Sequence, residues 1–184
     1  MVSASTYSRT AIILHWLIAL LIIGQLAGGL FMENLPPTSF KFELYQWHKS
    51  FGIMILLLSF ARLGWRFTRK PPALPDGMKA WEKLAARGTH IGFYVLMIGV
   101  PLSGWAMVSA SVYDIDTVLF KLIPWPHIPG IPQEAGLEDT LKFAHEILAK
   151  AVIVLLLLHV GAALKHHLVK KDDVLTRMIP LLKR

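Results

Sequence analysis

The sequence predicts an all-α integral membrane protein, a four-helix bundle with both termini on the cytoplasmic side. Three observations carry that prediction. The chain has 184 residues with 54% hydrophobic content and a mean hydropathy of +0.52, well above a soluble domain of this size. Four apolar runs, roughly Ala11–Met32, Leu44–Phe67, Ile91–Ser109 and Leu141–Leu164, approach or exceed the about 20 helical residues that cross a hydrocarbon core, and they lack a polar face at helical spacing. Basic residues follow these runs. Arg62, Arg66, Arg69, Lys70, Lys79, Lys83 and Arg87 surround the second connection, and Lys165, Lys170, Lys171, Arg177, Lys183 and Arg184 crowd the C-terminus. The first and third connections hold four lysines (Lys41, Lys49, Lys121, Lys142) beside eight acidic residues, so the positive-inside rule places both termini and the middle loop in the cytoplasm. Residues 1–184 read as one transmembrane domain with helices over roughly 9–32, 43–67, 82–109 and 138–168.

Composition also excludes. The chain has no cysteine, which removes disulfides, iron–sulfur clusters, thiolate-ligated haem and covalent haem attachment together. The net charge of +7 is gathered at helix ends rather than spread on a soluble basic surface, so nucleic acid is not the partner. The lipid bilayer is. Histidine is plentiful at 8 residues, which makes imidazole the expected ligand for any redox metal.

Taken in order, the first run follows Arg9 and is longer than the apolar core of a signal peptide, so it reads as a retained helix. It carries His15 and Trp16 near its cytoplasmic start, and Gly24, Gly28 and Gly29 inside, where a neighbouring helix or a flat cofactor could approach. Pro36-Pro37 marks a short outer turn that makes the first two helices antiparallel neighbours. The second helix has Trp47 and His48 at its outer rim and Arg62, Trp65 and Arg66 at its cytoplasmic end, before the Pro71-Pro72 and Pro75-Asp76-Gly77 punctuation. The third enters through a charged turn and runs through His90, Gly92, Gly99, Pro101 and Gly104, with a kink expected at Pro101. The longest connection, Ala110 to Leu137, contains Pro124-Trp125-Pro126-His127-Ile128-Pro129-Gly130, which cannot be helical and is expected to fold over the bundle mouth.

The fourth helix carries His145 and His159. Fourteen residues at 100° each bring the second back to within about 40° of the first, and roughly 21 Å along the axis. His15 lies about 6 Å in from the cytoplasmic end of the first helix, and His159 about 9 Å in from that of the fourth. His48 and His145 lie near the outer starts of their helices. Helix four thus faces helix one at an inner level and helix two at an outer level. Two trans-bundle imidazole pairs suit two non-covalent b haems, which as bis-histidine complexes transfer electrons and bind no substrate at iron. The four histidines are therefore the candidate iron ligands.

Other positions fit around them. Arg62 is fourteen residues after His48 and is placed to pair a haem propionate, or to anchor the helix end by snorkelling. Gly29 and Gly104, fourteen after His15 and His90, could clear room for the outer macrocycle. His90 and His166 lie at the inner face as candidates to hydrogen-bond a quinone carbonyl or a propionate. Lys150, about 7 Å inward of His145, is positioned to snorkel outward toward Glu146. A histidine-lined metal-ion permease is the rival reading, but it would want carboxylates beside the histidines, and Glu146 at the outer rim is the exception.

At these residues the chain resembles the bacterial cytochrome b561 family, small four-helix di-haem proteins of the inner membrane. The resemblance rests on Tyr7-Ser8-Arg9 before Ile13-Leu14-His15-Trp16, Trp47-His48-Lys49-Ser50-Phe51-Gly52, and Arg62-Leu63-Gly64-Trp65-Arg66. It continues through Gly88-Thr89-His90, Pro101-Leu102-Ser103-Gly104, His145-Glu146, and His159 to His167. It implies the same ligand pairs, His15 with His159 and His48 with His145. It also implies electron transfer between a periplasmic donor and membrane quinone, ubiquinone being the expected partner. One branch looks like a superoxide:ubiquinone oxidoreductase, so superoxide is one donor to test. The excess of outer acidic residues weighs against it, because an anion is steered by a basic surface. An alternative on the same plan is a cytochrome subunit that anchors a separate redox enzyme and wires it to quinone. No residue is assigned a catalytic role from the sequence.

Overall fold

Four long helices make up most of the chain. The computed structural model describes residues 6–69, 71–75 and 77–182. In it α1 is Arg9–Glu33, α2 Ser39–Thr68, α3 Ala80–Ala110 and α4 Ala135–Lys165. With 25 to 31 residues each, they extend about 37 to 46 Å, more than the ~30 Å hydrocarbon core, and all four are apolar enough to cross a membrane. Leu20, Ile23, Leu57, Val95 and Leu157 are all at least 50% exposed. In water such surfaces would aggregate; lipid is their solvent.

The helix starts are set by local chemistry. The Ser8 hydroxyl accepts from the Ala11 N–H at 3.3 Å, and Thr38 does the same for Lys41 at 3.3 Å. Glu82 accepts from the Lys79 N–H at 3.1 Å. Each satisfies an amide that the first helical turn leaves free. Between α1 and α2 the Asn34 side chain donates to the Leu30 carbonyl at 2.9 Å, and Lys41 Nζ donates to the Leu35 carbonyl at 2.7 Å. The chain thus reverses at once, and α2 runs back beside α1.

Packing follows chain order: α1 lies on α2, α2 on α3, and α3 on α4. The α3–α4 seam is tight because glycine lines it. A Cβ at Gly92 would sit 3.2 Å from the Leu155 side chain, and one at Gly99 4.0 Å from Leu148. Among the described residues α4 makes no comparable backbone approach to α1 or α2. It meets them through imidazole rings.

At one end the connection after α3 folds over the bundle, and it is more ordered than an irregular loop. It forms a two-stranded antiparallel hairpin, β1 (Thr117–Leu119) and β2 (Ile123–Trp125), with Val118 opposite Pro124. Its turn places Phe120 (φ 53°) and Lys121 (φ 60°) in the left-handed region, which is strained for residues with a Cβ. Contacts to α2 hold it there. The Phe120 N–H donates to Ser50 Oγ at 2.9 Å, the Phe120 ring meets Phe51 at 5.4 Å and Trp47 at 6.0 Å, and Lys121 pairs with Glu43. Gln46 fixes the first strand by donating to the Asp116 carbonyl at 2.8 Å and accepting from Val118 N–H at 3.4 Å. On the α3 side, the Trp105 indole donates to the Pro126 carbonyl at 2.8 Å.

At the opposite end α4 runs into a π-helical turn, His166–Lys170, which stops at Lys171 in the left-handed region (φ 53°). The remaining chain crosses back over α1, where the Trp16 indole donates to the Met178 carbonyl at 2.8 Å. The two ends are called here the hairpin end and the terminal end.

Replacing Gly92 by Leu should overpack the α3–α4 seam and lower stability by about 1–3 kcal/mol. Gly64→Leu, where no atom lies within 4 Å of an added Cβ, should stay within about 0.5 kcal/mol. Reversible unfolding in mixed detergent micelles reads both.

Candidate functional site

Side chains from all four helices converge at two levels. Near the terminal end, the His15 ring of α1 faces the His159 ring of α4, with centroids 6.2 Å apart and planes at 64°. His90 of α3 also reaches His159, at 6.0 Å, and Phe93 packs on the same ring at 5.3 Å. Arg62 of α2 extends inward, so that its Nη2 lies 3.1 Å from His15 Nδ1. A guanidinium has only donors, so it donates and the ring nitrogen accepts. Arg62 and Arg66 also lie 6.0 and 5.8 Å from the Tyr94 ring, and the Trp65 indole donates to Ser8 Oγ at 3.0 Å.

Toward the hairpin end, His48 of α2 faces His145 of α4, with centroids 6.3 Å apart and planes at 77°. His145 Nδ1 lies 3.0 Å from the Val100 carbonyl and 3.1 Å from Ser103 Oγ. A carbonyl can only accept, so Nδ1 carries the proton and the Nε2 lone pair is free. His48 Nδ1 is buried without a partner. Glycine stands beside both rings. A Cβ at Gly104 would come within 3.1 Å of the His145 ring, and one at Gly29 within 3.7 Å of the His48 ring. A pocket of about 110 Å³ between α1 and α2, lined by Gly28, Met32, Trp47, His48 and Phe51 among others, adjoins this level.

The remaining residues read from the sequence lie elsewhere. His166 is buried in the π-helical turn, and its Nδ1 is bonded to Asp172 Oδ2 at 2.5 Å. Lys150 is exposed on α4. His127 lies in the hairpin connection, 3.7 Å from Asp114. Among the described residues no three His, Cys, Asp or Glu side chains converge as a metal-ion site.

Several contacts went unread in the sequence. Glu82 is buried at 7% exposure and receives Lys170 at 2.5 Å and Lys165 at 3.4 Å, tying the start of α3 to the end of α4. Its signal was weak: a carboxylate three residues after a cap position looks like one more surface charge. The Val100 carbonyl and Ser103 hydroxyl behind His145 are backbone and small-polar contacts that no spacing rule reveals.

Membrane-length helices with facing imidazoles at two levels define a class, a membrane bundle whose histidines are turned to its interior. The chain belongs to the prokaryotic cytochrome b561 family, whose pattern it matches over residues 6–181. It is 32% identical over 167 residues to cytochrome b561 homolog 2 of Escherichia coli strain K12, covering 90% of this chain and 86% of that protein. It is 29% identical over 175 residues to cytochrome b561 homolog 1 of the same organism, covering 95% and 97%. It is also 34% identical over 175 residues to a probable superoxide oxidase, CybB, of Yersinia pestis, covering 95% and 96%. The chain is thus a membrane cytochrome of this family, and the family implies haem b as its cofactor.

Glu82→Ala should lower the thermal midpoint in detergent, because two lysines lose the carboxylate that joins α3 to α4. Adding Lys170→Ala should cost less than the sum of the two single changes. Strict additivity would show that the three groups do not act together.

Proposed function

We propose that the chain carries electrons across the membrane through two non-covalent b haems, one held by His48 and His145 and the other by His15 and His159. The observation that carries this reading is the spacing of the facing rings, 6.2 and 6.3 Å between centroids. A metal–imidazole nitrogen bond is about 2 Å, and the nitrogen lies roughly 1.1 Å from its ring centre. Two imidazoles on one metal therefore stand about 6.2 Å apart. The buried, unpartnered His48 Nδ1 and the glycines beside His48 and His145 also suit a flat macrocycle at the hairpin level.

His90 stands as close to His159 as His15 does, and the helix packing favours His15. The α3–α4 seam packs closely at Gly92, where an added Cβ would sit 3.2 Å from Leu155, two residues from His90, and this speaks against a plate between those helices. Helix α4 keeps its distance from both α1 and α2. The paired ligands are accordingly assigned across those two wider separations. His145 donates Nδ1–H to the Val100 carbonyl, which orients the ring and frees Nε2 for the metal. A haem iron with imidazole on both faces moves single electrons and leaves no position for a substrate.

The two levels are roughly 21 Å apart along α4. The basic residues of the terminal end, Arg62, Arg66, Lys79, Lys83, Arg87, Lys165 and Lys170 among them, support the assignment of that end to the cytoplasmic side of a bacterial inner membrane. The hairpin end then faces the periplasm and meets the electron donor. Membrane quinone, with ubiquinone as the proposed form, accepts at the terminal end near His90 and His166. The likeness to a probable superoxide oxidase makes superoxide the donor to test first.

Purified protein should contain two haems per chain with low-spin, bis-imidazole spectra. His48→Ala, His145→Ala and the less drastic Gly104→Val should each remove the hairpin-level haem and leave the other spectrum nearly intact. Equal loss of both haems from any one of these would break the pairing. Anaerobic mixing with superoxide, and separately with ubiquinol, followed at the haem bands, identifies the donor. Reduction by ubiquinol alone would remove superoxide from the proposal.

A further inference from the structure

We propose that Arg62 makes the terminal-level haem the stronger electron acceptor of the two, so that electrons run from the hairpin end to the terminal end. The proposal rests on the two-haem reading above and adds to it the residue that sets the direction.

The two imidazole pairs have nearly the same ring spacing, yet different groups touch the outward nitrogen of one ring in each. On the hairpin level His145 Nδ1 meets the Val100 carbonyl at 3.0 Å and Ser103 Oγ at 3.1 Å. Donation of Nδ1–H to a carbonyl pushes electron density toward Nε2 and makes the ring a more basic ligand. A more basic ligand favours the oxidised metal. On the terminal level His15 Nδ1 meets Arg62 Nη2 at 3.1 Å. A metal on His15 Nε2 would leave the ring proton on Nδ1, which then cannot accept, so what Arg62 brings to this level is its positive charge, kept at any ordinary pH. That charge favours the reduced metal, which carries one positive charge fewer.

The charge of Arg62 is not cancelled by a neighbour. Among the described residues neither Arg62 nor Arg66 has a carboxylate within ion-pair distance. Their close partner is the Tyr94 ring, and an aromatic face attracts a cation without neutralising it. A propionate drawn to Arg62 would still leave Arg66 as a second cation at this level. Among the described residues the hairpin pair has no arginine hydrogen-bonded or ion-paired beside it. Lys49, next in sequence to His48, points its Nζ to the Asp116 carbonyl at 3.2 Å, and Glu146 adjoins His145. The bundle therefore has a cationic terminal level and a near-neutral hairpin level, within a low-dielectric interior that screens little.

Each transfer moves one electron from the reduced hairpin-level centre to the oxidised terminal-level centre. A one-electron donor at the hairpin end restores the first. Two such transfers, with two protons taken up at the terminal end, convert a quinone to its quinol.

The test is a spectroelectrochemical titration of the full chain in lipid nanodiscs, with His48→Ala used to assign the terminal-level band. The wild type should titrate in two one-electron waves, the terminal-level wave at the higher potential. Arg62→Gln should shift that wave down by at least tenfold in its one-electron equilibrium, about 59 mV, and leave the hairpin-level wave in place. Arg62→Lys, which keeps the charge, should recover most of the shift. A reversed order in the wild type overturns the proposal, as does an Arg62→Gln protein in which neither wave moves or both move equally. If Arg62→Gln loses the terminal-level haem, the wild-type order and the Arg62→Lys titration decide. Fewer than two haems in the wild type would instead defeat the two-haem reading, and this proposal with it.

Discussion

Helix α4 must stay clear of α1 and α2 while remaining fixed in place, and much of the structure serves that constraint. A four-helix bundle left to itself closes its interior with interdigitating side chains. Among the described residues α4 packs closely on α3 alone, where Gly92 and Gly99 let Leu155 and Leu148 approach. Against α1 and α2 it presents single imidazoles whose ring centroids stand about 6 Å from their partners. The seam on α3 is what lets the other two sides remain open, because a helix needs one well-packed neighbour to hold its position and rotation.

The two ends of the bundle support this arrangement by different means. At the hairpin end β1 and β2 lie on α2 through Gln46, Ser50 and Phe51, and the connection returns to α3 through Trp105. That fixes the α2–α3 spacing next to His48 and His145. At the terminal end Glu82 gathers Lys165 and Lys170, so that end of α4 is tied to α3 beside His159. Asp172 closes the π-helical turn on His166. Both levels are thus flanked by polar clamps at the membrane boundary, where water and headgroups make charged contacts affordable.

The sequence disclosed the parts of this design that obey a period. Helix length, apolar character and the alternation of basic and acidic ends follow from composition along the chain, so the all-α membrane class was legible. So was the convergence of histidines at two depths, because depth is arithmetic on a helix: His15 meets His159, and His48 meets His145. The hairpin was not legible. Thr117–Leu119 and Ile123–Trp125 are three residues each, too short for alternation to register, and their turn uses Phe120 and Lys121 where a glycine would have announced it. Nor was the burial of Glu82 or His166 visible, since both sit in charged stretches that read as solvated helix ends. The contact of His90 with His159 was missed for another reason: spacing along one helix says nothing about which neighbour a ring meets.

One fourteen-residue period also explains how the two levels come to differ. On α4 it joins His145 to His159, on α2 His48 to Arg62, on α1 His15 to Gly29, and on α3 His90 to Gly104. Fourteen residues are close to four turns, so each helix contributes one residue to each level. The hairpin level receives two histidines and two glycines, with room beside the rings. The terminal level receives three histidines and an arginine, and the arginine reaches His15. The four helices repeat one register, and the substitution of a guanidinium for a small or neutral side chain at one of the eight positions makes the levels unequal in charge. A symmetric placement of ligands would conduct equally in both directions. In this bundle the asymmetry lies in α2, which supplies a ring to one level and a cation to the other.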